Sequence, residues 1–131
     1  AGPDGGPTDA GPADGGVDAG LCPGRIGGAL IDFLIGDERL RVWTDKGDQI
    51  DVAIALAQSG GWRIPMMSLR DGSDCDPTWS WHASDLAFVE TAAEVCDGRP
   101  SYVEDAKSYW INTVTFFCPW GGRVVGVDDR R

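Results

Sequence analysis

Hydrophobic and polar positions change character near residue 21. The stretch AGPDGGPTDAGPADGGVDAG has neither a two-residue nor a 3.6-residue apolar period, so it predicts no packed element. Downstream, Ala29-Leu30-Ile31-Asp32-Phe33-Leu34-Ile35 is a short apolar run in which Leu30, Asp32 and Leu34 oppose Ile31, Phe33 and Ile35. That pattern predicts a strand, and Gly36-Asp37-Glu38-Arg39 predicts a turn after it. Leu40-Arg41-Val42-Trp43-Thr44 alternates as a second strand, or as the far half of one long bent strand. Asp48 then opens the clearest helix, as a candidate cap with Asp51 in the acidic first turn. Ile50, Ala53, Ile54 and Ala57 recur at i, i+3, i+4 and i+7, and Ser59-Gly60-Gly61 ends the run. One apolar stripe needs one flat partner, and a sheet supplies it.

The second half reads less cleanly. Trp62–Leu69 predicts a strand in which Pro65 demands an edge or a bulge. Residues 70–77 predict a loop. Thr78-Trp79-Ser80-Trp81-His82 alternates, with both indoles on one face and Thr78, Ser80 and His82 on the other. Leu86–Cys96 fits a strand better than a helix. After the Asp97-Gly98 turn, Ser101 and Glu104 match a capping box opening a short helix to about Lys107. Tyr109–Cys118, rich in β-branched and aromatic residues, and Val124–Val127 complete the strands. The expected fold is α+β: a mixed or mainly antiparallel sheet of six to seven strands, one main helix and one short helix.

Composition sharpens the domain boundary. Eighteen of the first 21 residues are Gly, Ala, Pro or Asp, so residues 1–21 are expected to be a flexible acidic tether. All twelve aromatic residues lie in 22–131, expected as a single globular domain. The net charge is −10, with 21 acids against 11 bases and Arg130-Arg131 as the densest basic cluster. No concentrated positive face exists for nucleic acid, and no apolar run is long enough to cross a membrane, so neither partner is expected. The spaced aspartates of the tether lack the close ligand cluster and closing Glu of a calcium loop.

Cys22, Cys75, Cys96 and Cys118 are even in number and far apart, which favours two disulfides and an oxidising compartment: secreted, periplasmic or cell-surface. The spacing matches no structural zinc motif, and no metal or cofactor is implied. Three pairings are open. Cys96 and Cys118 each end a predicted strand and could be sheet neighbours, in which case Cys22 pairs with Cys75.

His82 is the sole histidine. Ser80 lies two residues away, but neither a nucleophile elbow nor an assured acid partner accompanies it. Glu90 and Glu94 on one strand face would stand about 13 Å apart, too far for paired-carboxylate glycoside chemistry. The inventory points away from an enzyme. Six tryptophans in about 110 residues are the unusual feature. Most belong in a core. Trp120, between Pro119 and Gly121-Gly122, is the best candidate for an exposed platform, followed by Trp79 and Trp81. Arg70, in Arg70-Asp71-Gly72-Ser73 beside Cys75, is the candidate for a basic loop entering a protease cleft.

The combination Trp79-Ser80-Trp81-His82, Glu94-Val95-Cys96-Asp97 and Cys118-Pro119-Trp120 resembles a family of small exported accessory domains, found alone or attached to secreted hydrolases, notably serine proteases. The resemblance spans about Ile31 to Val125. It implies the Cys96–Cys118 bridge, with Cys22 and Cys75 as a local addition, and slightly raises Trp79 and His82 as a recognition spot. Gly121-Gly122-Arg123 replaces the small hydroxyl residues that usually follow its C-P-W. The expected function is a non-catalytic exported domain that binds or modulates an extracellular protein or glycan. The alternatives are an inhibitor of a secreted serine protease, a carbohydrate-binding module using exposed Trp, and a structural cell-surface protein.

Overall fold

A computed structural model describes residues 21–131, so the expected tether over 1–21 lies, apart from Leu21, outside the described residues. Leu21 belongs to the folded unit: it is buried against Leu30 and Cys75. Among the described residues, six strands form two antiparallel three-stranded sheets. β1 (Ala29–Ile35) is the centre of the first, flanked by β2 (Glu38–Thr44) and β6 (Gly122–Asp129). β3 (Ile64–Asp71) is the centre of the second, between β4 (Trp81–Val89) and β5 (Phe116–Phe117).

The alternation read in β1 sorts its side chains as expected. Ala29, Ile31, Phe33 and Ile35 enter the main core, while Leu30 faces a smaller cluster beneath Leu21 and the Cys22–Cys75 bridge. The main core is shared by Leu40 and Val42 of β2, Met67 and Leu69 of β3, and Trp81 and Ala83 of β4. Helix α1 (Gly47–Ser59) covers it with Ile50 and Ala53, and Ile54 packs half-buried beside them; Ala57 is exposed. Gly60 ends the helix in the left-handed conformation, its N–H bonded to the Leu56 carbonyl. The helix starts two residues earlier than its pattern indicates. Lys46 is the cap residue, and Asp48 sits in the first turn, accepting from Gln49 N–H.

β2 has an outer edge, and side chains close part of it. Asp76 accepts from the Arg41 N–H at 3.0 Å, and the Trp79 indole donates to the Arg39 carbonyl at 3.0 Å. Occupied edge groups cannot template another strand.

Several expected elements differ: the strand expected over Thr78–His82 begins only at Trp81, and that expected over Trp62–Leu69 runs from Ile64 to Asp71. The strand expected over Leu86–Cys96 stops at Val89; a 3₁₀ turn at Glu94–Cys96 brings Cys96 beside Cys118, whose N–H bonds the Cys96 carbonyl at 2.8 Å. The strand expected over Tyr109–Cys118 is a helical turn (α3, Lys107–Tyr109) running into a π-helix over Trp110–Val114, and only Phe116–Phe117 pairs. Trp110 packs edge-on against Phe117 at 6.0 Å, whereas an extended chain would separate them by about 23 Å. The buried contact overrides the β propensity of the segment. The capping box is also absent. Helix α2 (Pro100–Asp105) starts with Pro100 and has no side-chain cap, because Ser101 and Glu104 are engaged with other elements.

Pro65 sits in a central strand, yet β5 pairs only with Met67 and Ser68, and the β3–β4 register shifts between Met66 and Ser68. The bulge expected near Pro65 is therefore present in the β3–β4 ladder. No helix among the described residues is long and apolar enough to cross a membrane.

Candidate functional site

The cysteines pair as Cys22–Cys75 and Cys96–Cys118, with Cα atoms 5.1 Å apart in each. The second bridge lies under the most distinctive surface of the molecule. Trp62, 46% exposed, leans on half-buried Trp120 with ring centroids 6.4 Å apart and planes inclined by 44°. Polar contacts fix both rings. The Trp62 indole N–H donates to the Trp120 carbonyl at 3.0 Å, and the Trp120 indole N–H to the Ala93 carbonyl at 3.3 Å. The Trp120 backbone N–H donates to Asp97 at 2.9 Å. Ile64, Cys96 and Cys118 form the buried floor, with Met66, Val89 and Trp120 packed on it. The result is a braced aromatic ledge with exposed ring surface and no unsatisfied donor on either indole.

Sequence reasoning placed Trp120 here and missed Trp62, which it assigned to a strand. Strand β3 begins only at Ile64. The signal was the neighbourhood Gly60-Gly61-Trp62-Arg63, immediately past a helix end, where an indole has no regular element to bury it.

The other candidates lie elsewhere. Trp81 is 1% exposed and forms part of the core, 5.8 Å from Phe117 in an edge-on contact, so it offers no surface to a partner. Trp79 is half-buried against Trp81, with its N–H engaged by Arg39. Arg70 is not in a loop: it pairs with His82 in the β3–β4 ladder, and its side chain contacts Ser84 at 3.3 Å and Asp85 at 3.6 Å. His82 Nδ1 lies 2.7 Å from the Gly72 carbonyl, so that nitrogen carries the proton. With Thr44, Lys46, Asp74 and Asp85, His82 lines an open polar cleft of about 340 Å³.

Ser80 and His82 do not act on one another. Ser80 donates through both N–H (2.8 Å) and hydroxyl (2.6 Å) to Glu104, which holds that carboxyl below its ordinary value. Lys107 reaches Ser80 Oγ at 3.2 Å and pairs with Asp71 at 2.9 Å, lowering the Asp71 pKa. Ser101 makes a matching two-point contact with Glu38, at 2.8 and 2.7 Å. These clamps tie α2 to β2 through Glu38 and to the bend just before β4 through Ser80. On the outer face of the first sheet, Asp32 is fully buried and paired with Arg39, and Asp76 accepts from Arg41. Burial pushes Asp76 up, but the Arg41 and Thr78 hydrogen bonds outweigh it and leave the carboxyl below its usual range. Arg130 donates to the Leu21 and Cys22 carbonyls, and Arg131 pairs with Asp51 and Asp129, so the terminal basic pair is engaged within the fold.

Comparison with curated proteins and with solved structures gives no match. A family model, the BP-74 N-terminal domain, matches residues 30–130, which take in both sheets, the ledge and the Cys96–Cys118 bridge. The chain belongs to the BP-74 N-terminal domain family, a family of small accessory domains.

Proposed function

We propose that this chain is a non-catalytic recognition domain, exported to an oxidising compartment, that binds or modulates an extracellular partner through the Trp62–Trp120 ledge. The observation that carries the reading is the bracing of two partly exposed indoles by three internal hydrogen bonds above a disulfide. Large aromatic surfaces that are already ordered lose little entropy on binding, which is why such residues anchor interfaces. The two disulfides suit export.

The geometry of the alternatives favours this reading over them. Arg70 lies inside a strand with its guanidinium held by Ser84 and Asp85, unlike a residue presented to a protease cleft. Ser80 and His82 are engaged by Glu104 and Gly72, respectively. The test is affinity capture from the native extracellular fraction with the full oxidised chain and its Trp62→Ala variant. A partner captured by the first and lost by the second, with both folded by circular dichroism, supports the ledge. Equal capture by both removes it.

A further inference from the structure

We infer that the ledge receives a polypeptide segment bearing lysine or arginine, an inference that rests on the ledge being the recognition surface. Both indole N–H groups are engaged internally, so the pair offers a partner ring faces and edges rather than hydrogen-bond donors. An indole face carries negative potential and attracts a cationic side chain, with Arg favoured. Exposed carboxylates add to that sign, beside one base, Arg63, whose guanidinium donates to the Trp62 carbonyl at 2.8 Å. Glu90, with an 83% exposed side chain, stands at the Trp62 end, where it reaches the adjacent Arg63 only at 3.8 Å. Exposed Glu94 follows Ala93, whose carbonyl holds the Trp120 indole. Asp97 accepts from the Trp120 backbone. Residues 90–97 thus carry three acids and no base. Val95, 66% exposed within that same segment, is apolar surface of the kind that the methylene stem of a long basic side chain covers. A neutral glycan would use the ring faces and its hydroxyls could donate to the carboxylates, but it carries no charge for them to attract, and an acidic one would be repelled.

The test uses the full ¹⁵N-labelled chain and follows the Trp62 and Trp120 indole resonances during titration. The probes are a Lys/Arg/Leu dodecapeptide, its Gln-for-Lys/Arg and Glu-for-Lys/Arg counterparts, cellohexaose and chitohexaose. The expected result is saturable movement of both indoles with the basic peptide and binding about fivefold weaker with the Gln version. Glu90→Gln with Glu94→Gln should weaken the basic peptide about threefold or more, whereas Asp45→Asn with Asp105→Asn, the same charge change on exposed sites elsewhere, should not. Equal loss in the two double variants would reduce the effect to net charge and overturn the inference. Equal binding of the Gln peptide, or movement with an oligosaccharide alone, overturns the partner class while leaving the ledge as a binding surface. If no probe moves either indole, the basic-segment inference fails. The recognition reading then stands or falls on whether the Trp62→Ala chain still captures its partner.

Discussion

Removing the Cys96–Cys118 bridge by Cys96→Ala with Cys118→Ala should destabilise the domain strongly and loosen the ledge first. The bridged residues are 22 apart, and constraining a loop of that size in the unfolded chain contributes about 3.4 kcal/mol at 25 °C. That is a large share of the stability typical of a domain this size. The midpoint of thermal unfolding should fall by roughly 12–18 °C. The local consequence follows from what the bridge holds: Ala93 and Asp97, the two anchors of Trp120, flank Cys96 in sequence. Urea unfolding followed by far-ultraviolet circular dichroism measures the global term, provided the slope is unchanged between the proteins. Acrylamide quenching of Trp fluorescence, with Trp62→Phe and Trp120→Phe as references, reports the ledge below the unfolding transition. A loss under about 1 kcal/mol with unaltered quenching would refute both the entropic argument and the assigned brace.

Three further perturbations probe separate parts of the fold. Asp76 is held below its ordinary pKa, so its contribution is complete above about pH 4 and is lost as the pH falls through its lowered value. Asp76→Asn should destabilise by about 1–3 kcal/mol at pH 7 and flatten the acid limb of a stability–pH curve; an unchanged limb would show that other carboxylates dominate it. Gly28→Ala sets a Cβ against the Thr44 carbonyl and 2.8 Å from the Trp43 ring, and should cost about 2–4 kcal/mol in urea unfolding. Gly47→Ala, whose Cβ would meet nothing nearer than Arg131 at 3.6 Å, is the control expected within about 0.5 kcal/mol of the parent. Glu38→Ala removes both acceptors of Ser101 and should cost about 1–2 kcal/mol, with faster hydrogen exchange in α2; unaltered exchange there would show that Pro100 and Val103 suffice to seat the helix.

The elements legible in the sequence are those whose local pattern and tertiary role agree. β1, β2 and α1 each carry a clear period, and each buries the face that the period marks, except for exposed Ala57 near the end of α1. The sequence left three cysteine pairings open, and the strand-neighbour reason for Cys96–Cys118 does not hold: Cys96 lies in a 3₁₀ turn, not at a strand end. The region from Glu90 to Phe117 was opaque because its contacts are non-local. Glu104 and Ser101 satisfy a helix-capping pattern in sequence but bind Ser80 and Glu38, which are 24 and 63 residues away. The β-branched segment after Tyr109 folds helically so that Trp110 can meet Phe117.

The candidate surface was half legible. Trp120 announces itself by its loop. Trp62 is marked in sequence only by its place after Gly60-Gly61, and its partner Trp120 is 58 residues away. The alternation over Thr78–His82 is strand only from Trp81 onward; Trp79 lies in the preceding bend and packs half-buried against Trp81, which is in the core.

The most direct test of the ledge as the recognition surface is hydrogen-exchange mass spectrometry of the full oxidised chain, with and without the partner captured from the extracellular fraction. Protection should concentrate in residues 61–64, 90–97 and 118–122. Protection confined to residues 44–46 and 82–85, around the polar cleft, with the ledge unchanged, would contradict the account.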